Sequence, residues 1–385
     1  MGIADRNSVA IVGGGLGGAA TAALLQQAGC SVAVFEQTHR FEPAGAGIHL
    51  TPNVMRILAH IGIGDALVRA GRRPESFTSR NLASNSVRST LALGDRAEER
   101  FGAPYLTVGR GVLHRELIDS LRPGSVRYGK RLVGVEDLGM AVRMRFADGS
   151  TAEASCVIGA DGLGSRVREV LHGAERPRFS GQIAYRAAVP ASTRVPVDRN
   201  CITKWWSDDR FVIGYPTDSR TDDYYFVAGA AADAWTYPQS WVAGDKDEML
   251  AAFAGSCDEV LSLLNAAETL SKWPLFERPP LQQWGRGRIA LLGDACHPMR
   301  PHMAQGAAMA IEDGALLLRC LEAEDEIGEA FWRYAESRRQ RTGRVQAVSA
   351  ENSWLKDAED PSWVFDYDAM NTELVPRRPS TLDVT

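Results

Sequence analysis

The chain has 385 residues, 43 basic against 48 acidic side chains and a formal net charge of −5, with 45% hydrophobic and 24% charged residues. These values are close to globular averages and exclude a disordered chain, a collagen-like repeat and a disulfide framework. The mildly acidic balance argues against work on the phosphate backbone of nucleic acid.

Ser8 to Val12 is a short apolar run, Ala19 to Ala28 is rich in Ala and Leu, and Ser31 to Phe35 is a second β-rich run ending at Glu36. Strand, turn, helix, strand is the pattern of a right-handed βαβ unit. The apolar stretch from Val9 to Leu25 is not read as a signal peptide or membrane span. Gly13, Gly14, Gly15, Gly17 and Gly18 interrupt it, and no basic cluster precedes it. Gly13-x-Gly15-x-x-Gly18 lies between strand and helix, the context that makes this pattern a dinucleotide fingerprint. Glycines let the backbone approach a pyrophosphate, and free N–H groups at the helix start point at its charge. Glu36 is placed to accept hydrogen bonds from both ribose hydroxyls and would repel a 2′-phosphate, so the expected adenosine is that of FAD or NAD.

Further along, Ala154 to Ile158 reads as a strand running into Gly159-Ala160-Asp161-Gly162. From Gly181 to Trp273 the composition shifts to aromatic and β-branched residues, including Trp205, Trp206, Tyr215, Tyr224, Tyr225 and Phe226. This predicts a separate antiparallel sheet that covers the substrate. Trp205 and Trp206 alternate across a strand, so only one of them faces the pocket. Arg288 to Leu292 is another strand, running into Gly293-Asp294-Ala295, and Glu312 to Gln346 is helix-rich. The last residues, with Pro376 and Pro379, read as a polar tail. The six cysteines, Cys30, Cys156, Cys201, Cys257, Cys296 and Cys320, show no C-x-x-C spacing. They predict no metal site and reduced thiols in a soluble, cytoplasmic protein.

Taken singly, Asp161 and Asp294 are better explained as helix N-caps than as ligand contacts. Together, the fingerprint, Gly159-Ala160-Asp161-Gly162-x-x-Ser165-x-x-Arg168, and Gly293-Asp294-Ala295-x-His297-x-x-x-Pro301 with Gln305-Gly306 resemble the group A flavoprotein aromatic hydroxylases of the para-hydroxybenzoate hydroxylase type. The resemblance implies an α/β fold: a Rossmann-like FAD-binding domain with an inserted, mainly antiparallel substrate-binding sheet and a C-terminal helical region. The expected boundaries are residues 1–75, 100–180 and 275–350 for the FAD domain, 76–99 and 181–274 for the sheet, and 351–385 for the tail. It implies FAD beside Gly13, Gly15, Gly18, Glu36, Arg110, Asp161, Gly162, Asp294, Pro301, Gln305 and Gly306. No second G-x-G-x-x-G is present, so NADH or NADPH is expected to bind transiently on the same domain.

Within that family the chain is most similar to the branch that hydroxylates a hydroxypyridine carboxylate with loss of carbon dioxide, as in 6-hydroxynicotinate to 2,5-dihydroxypyridine. The matching segments are Gly45-Ala46-Gly47-Ile48-His49, Lys204-Trp205-Trp206-Ser207, Tyr224-Tyr225-Phe226-Val227 and the block from Gly293 to Asp313, with Asn352, Trp354, Asp360, Pro361 and Trp363 beyond it. The resemblance implies that His49 and Tyr215 deprotonate the ring hydroxyl. It also implies that His302 lines the pocket beside the flavin, and that Cys201, Trp206 and Phe211 lie at the substrate. Phe211 stands where that branch carries a pocket histidine, and Ile202 where it carries a cysteine. Chemistry supports the His49 role independently. Electrophilic oxygen attacks an electron-rich ring, ionising a ring hydroxyl supplies the electrons, and histidine titrates near neutrality. The alternatives are a salicylate-like hydroxybenzoate or an isomeric hydroxypyridine carboxylate as substrate, and a flavin-binding module without turnover. The partners expected are a small aromatic or pyridine carboxylate, O2 and NAD(P)H, with neither nucleic acid nor membrane.

Overall fold

The structure, a computed structural model, describes residues 8–41, 45–221 and 223–378. Strand β1 (Ser8–Val12) is buried at four of its five positions, as a strand covered on both faces must be. It pairs in parallel with β2 (Ser31–Phe35) on one side and β11 (Cys156–Gly159) on the other, Ile11 lying beside both Val34 and Ile158. The sheet extends through β7 (Val126–Arg127) beyond β2 and β19 (Ile289–Leu291) beyond β11, and β18 (Gly285–Arg286) adds an antiparallel edge. The helix Leu16–Gln27 packs on it, and the helix Gly306–Ala323 packs closely on that helix. Small residues set that approach: a Cβ on Gly17 would come within 2.8 Å of the Ala310 Cβ, and one on Gly314 within 2.5 Å of the Thr21 Oγ1. The ends of β1, β11 and β19 are tied together, Ala160 N donating to Val12 O at 2.8 Å and Leu292 N to Gly159 O at 2.9 Å. Three glycine-bearing loops therefore leave one edge of a parallel sheet side by side, the place where open α/β sheets bind ligands.

The second sheet has eight strands in the order β16 (Val242–Ala243), β17 (Ser271–Glu277), β12 (Arg178–Val189), β15 (Tyr224–Ala231), β14 (Phe211–Pro216), β13 (Ile202–Trp206), β4 (Ser76–Asn81) and β5 (Val87–Ala92). Every pair is antiparallel except β13 with β4. Side chains alternate across it. One face sends Tyr185, Trp205, Val212, Tyr224 and Phe226 into a separate core with Met249, Phe253, Val260, Leu263 and Leu264 of the helices Lys246–Ala252 and Asp258–Asn265. The opposite face carries Arg186, Lys204, Trp206, Phe211, Tyr215 and Tyr225 in register, and Ile202, Tyr215 and Tyr225 join the core of the first sheet. Gly229 makes room on that face, because a Cβ there would lie 2.1 Å from the Phe211 ring.

A two-stranded ribbon, β3 (Gly47–Leu50) with β6 (Leu106–Gly109), joins the two layers, and β8 (Leu132–Asp137), β9 (Val142–Phe146) and β10 (Thr151–Ala154) form a small antiparallel sheet. After the helix Ile327–Glu351 the chain turns through Asn352 in the left-handed region, at φ 51°. It then buries Trp354, Leu355, Val364, Phe365 and Ala369 in the main core. The first part of the segment after residue 350 is thus packed against that core; of the last residues, Pro376 lies in an irregular stretch and Pro379 lies outside the described residues. Among the described residues no helix is long and apolar enough to cross a membrane.

Candidate active site

A cleft of about 990 Å³ opens where the three glycine loops meet the inner face of the eight-stranded sheet. Its form fits the expected cofactor. Gly13 has φ 107°, and a Cβ there would sit 2.3 Å from Ala160 O. A Cβ on Gly15 would meet nothing within 4 Å, so any side chain there would project into the cleft. No side chain caps the helix Leu16–Gln27, whose first N–H groups are left for a ligand. Glu36, at the end of β2, accepts from Gly14 N at 2.7 Å and from Thr38 N at 2.8 Å, which fixes its carboxylate beside the fingerprint. Across the cleft, Arg110 opens the helix Arg110–Asp119 and Asp294 opens the Gly293 loop. Burial lowers the Arg110 pKa while Asp294 opposes that shift. Gly162, Pro301 and Gly306 line the same space.

Two residues expected at the cofactor spend their side chains elsewhere. The Asp161 carboxylate accepts from Ser165 Oγ, from Arg166 N at 2.7 Å and from Val167 N at 3.1 Å, so it ties down the start of the helix Arg166–His172. The Gln305 amide bonds Thr51 Oγ1 at 3.1 Å and Asn53 Nδ2 at 3.2 Å. That contact joins a buried ionic network. Arg338, fully buried, donates to Glu312 Oε2 and Asp313 Oδ1, each at 2.7 Å. Arg341 and Asn53 also donate to Glu312. Asp313 Oδ2 lies 2.6 Å from His297 Nε2 and accepts from Gly293 N at 3.0 Å. Burial alone would raise the Asp313 pKa, but His297 and Arg338 hold it down to about 2. Arg338, Arg341 and Asn53 were absent from the sequence reading. The readable signal was a Glu312-Asp313 pair inside an otherwise apolar helix, which must find cations to be buried.

Beside the cleft, β3 brings His49 against β14. The His49 ring stands edge-on to Tyr215, with centroids 4.2 Å apart, and its Nδ1 lies 2.8 Å from the Tyr105 hydroxyl. Gly47 allows this, since a Cβ there would come within 2.7 Å of the Tyr215 ring. Tyr105 carries no motif and could not be picked out from sequence. His302 follows the cleft-lining Pro301, and its Nδ1 lies 2.7 Å from Ser349 O. A carbonyl only accepts, so Nδ1 is the protonated nitrogen and Nε2 presents a lone pair, buried and without a partner. Phe211 stands edge-on to His302 at 5.0 Å. Burial, reinforced by the charge of Lys204, lowers the pKa of both His49 and His302 to about 3. Burial thus places His49 below the near-neutral value of an exposed histidine, and the free pocket favours the uncharged imidazole. Trp206 belongs to this cluster, with Lys204 Nζ 3.6 Å above its ring. Cys201 does not. It precedes β13 with the opposite side-chain parity and takes a hydrogen bond from Ser76 Oγ at 3.1 Å, while Ile202 occupies the inner face.

The FAD binding domain family matches residues 6–348. The 6-hydroxynicotinate 3-monooxygenase of Pseudomonas fluorescens is 48% identical over 376 residues, spanning 95% of this chain and 96% of that protein. Among solved structures, a variant of Klebsiella pneumoniae HpxO complexed with FAD superposes with a TM-score of 0.81 at 26% identity, covering 92% of each chain. A salicylate hydroxylase substrate complex superposes with a TM-score of 0.79 at 26% identity, covering 94% of this chain and 96% of that one. Matched to that family over most of its length and 48% identical to a named 6-hydroxynicotinate 3-monooxygenase, the chain belongs to the FAD binding domain family and is an FAD-dependent aromatic monooxygenase.

Proposed function

We propose that the chain converts 6-hydroxynicotinate to 2,5-dihydroxypyridine, consuming one O2 and one NAD(P)H and releasing one carbon dioxide and one water. The observation that carries this reading is the His49–Tyr215 pair at the cleft of a chain 48% identical to an enzyme of that name along nearly its whole length. FAD, once reduced by the nicotinamide, supplies an electrophilic oxygen atom from O2. Gly13, Gly15 and Gly18 would hold its pyrophosphate, Glu36 its ribose, and Asp294 and Arg110 the part nearer the flavin ring.

The protein's own task is to make the substrate ring a nucleophile. With its Nδ1 proton donated to the Tyr105 oxygen, His49 offers Nε2 to the ring hydroxyl and takes its proton. Burial weakens the free imidazole as a base, and the negative charge developing on the ring oxygen beside it offsets this by favouring the protonated form. Tyr215 lies against the His49 ring, its phenol kept protonated by burial, and donates to the ring oxygen as it gains charge. Trp206, Phe211 and Tyr225 are buried apolar walls that keep water from the reacting carbon. Oxygen added at the carbon bearing the carboxylate leaves a tetrahedral ring atom, and loss of carbon dioxide restores aromaticity. Carboxyl-labelled 6-hydroxynicotinate tests this directly. All label is expected in carbon dioxide, one per turnover; label retained in a hydroxylated acid would rule the route out.

Phe211 supports a second reading, a hydroxybenzoate acid as substrate, because an apolar ring there offers a pyridine nitrogen no hydrogen bond. Comparing kcat/KM for 6-hydroxynicotinate with that for 4-hydroxybenzoate and salicylate decides between them.

A further inference from the structure

On the inner face of the eight-stranded sheet, Lys204 is 1% exposed and Trp206 is 2% exposed. Among the described residues no acidic side chain is bonded to the Lys204 nitrogen. It donates to Asn352 Oδ1 at 2.9 Å and to the His302 carbonyl at 3.3 Å, and lies over the rings of Trp206, at 3.6 Å, and Phe211, at 4.9 Å. The indole Nε1 of Trp206 is buried and has no acceptor. A buried N–H without an acceptor is costly, and burial, with Lys356 nearby, pushes the Lys204 pKa well below its usual value, so an anion bound beside it would favour the charged form. An orphaned N–H beside a lysine nitrogen bonded only to uncharged oxygens suits one acceptor that carries negative charge.

Resting on the reading given above, we infer that Lys204 and Trp206 form the subsite that takes the carboxylate of the aromatic acid. The placement suits the chemistry. His49 and Tyr215 reach the cluster from β3 and β14, while Lys204 and Trp206 both lie on β13, the strand next to β14, where they pair with Ile213 and Phe211. A ring held between them carries its hydroxyl at one end and its carboxylate at the other, the para arrangement of 6-hydroxynicotinate. The lone pair of His302 Nε2 then accepts a hydrogen bond from a donor on the ring or on the oxygen being transferred. The second cation on this face, Arg186, lines the cleft with its guanidinium over Trp273 and its buried Nε without an acceptor, near Tyr215 and Tyr225, so it is the rival anchor that the test must separate from Lys204. Departure of the carboxylate as carbon dioxide removes the counter-ion of Lys204, so the product is held less tightly than the substrate.

The test uses the FAD-loaded enzyme and reads binding from the change in flavin absorbance, independently of turnover. The probes are 6-hydroxynicotinate and 2-hydroxypyridine, the same ring without the carboxylate. The wild type is expected to prefer the acid, and Lys204→Met to weaken acid binding about 10- to 100-fold while leaving 2-hydroxypyridine unchanged. Trp206→Phe, which keeps an aromatic ring and loses the N–H, is expected to weaken the acid selectively by about 5- to 10-fold. FAD content and thermal midpoint, measured on each variant, identify misfolding, and Trp206→Phe then carries the test alone. The assignment is overturned if Lys204→Met keeps the wild-type preference, if Arg186→Met abolishes the preference instead, or if the wild type does not distinguish acid from neutral ring. Failure of the broader reading looks different: acid binds and the variants respond, yet no aromatic acid stimulates NAD(P)H oxidation by the wild type.

Discussion

His49 shows how far a residue's chemistry depends on what surrounds it. An exposed histidine titrates near 6.5, but this one, enclosed by Tyr105, Tyr215 and the charge of Lys204, is held at about 3. Replacing His49 with Ala is expected to lower turnover by on the order of 10²-fold with FAD content unchanged, since the side chain touches the hydroxyl-binding end of the pocket and not the fingerprint. Anaerobic reduction and FAD release, measured beside turnover, separate those effects. Gly47 gives a subtler test. A methyl there would stand 2.7 Å from both Tyr215 Cε2 and Thr217 Cγ2, so Gly47→Ala should displace the phenol. The expected outcome is about a tenfold fall in kcat/KM without loss of flavin; wild-type kinetics in this variant would show that Tyr215 need not be held in place.

At the level of elements, the molecule is fastened by charge buried between helices. Glu312 and Asp313 on the helix Gly306–Ala323 meet Arg338 and Arg341 on the helix Ile327–Glu351, and the same carboxylates reach Asn53 behind β3 and the Gly293 loop. One cluster therefore sets the position of the chain following His49 and of the loop carrying Asp294. Arg338→Met would take one cation from two wholly buried carboxylates, leaving Glu312 with Arg341 and Asn53 and Asp313 with His297 and Gly293 N, and is expected to lower the unfolding free energy by about 1.5–3 kcal/mol. Urea unfolding at neutral pH measures it, and a loss below about 1 kcal/mol would mean that the carboxylates find other partners. Replacing all partners together with apolar residues should cost much less, because no charge is left unpaired.

For the whole molecule, stability should follow the histidines as pH falls. His49 and His302 have folded values of about 3 against about 6.5 in an unfolded chain. Below pH 6.5 the unfolded chain takes up protons that the folded pocket refuses, so unfolding free energy declines from about pH 6.5 towards about pH 3. Above pH 6.5 these two groups contribute no slope. Asp313, lowered to about 2, adds its own loss only below the ordinary carboxylate range. Thermal midpoints of wild type and His302→Gln between pH 7.5 and pH 4.5 are expected to converge as pH drops, the variant showing the shallower slope. Parallel curves would mean that the His302 site opens to water before the protein unfolds.

Local order was legible along the chain: the βαβ unit, the glycine fingerprint with Glu36, and the two faces of the strand bearing Trp205 and Trp206, because turn chemistry and side-chain alternation act over a few residues. The cofactor loops were also legible, since glycine and aspartate after a strand have few other uses in this combination. Several features depended on tertiary structure: the side chain of Asp161 serves a helix start, Cys201 lies off the inner face, and Tyr105 stands beside His49. Contacts between residues 56 positions apart, as His49 and Tyr105 are, leave no local pattern. The electrostatic character of the pocket was likewise a tertiary matter. Lysine and histidine read from sequence carry their solution properties, and only burial against Trp206, Phe211 and each other's charge makes His49 neutral and leaves Lys204 without an anion.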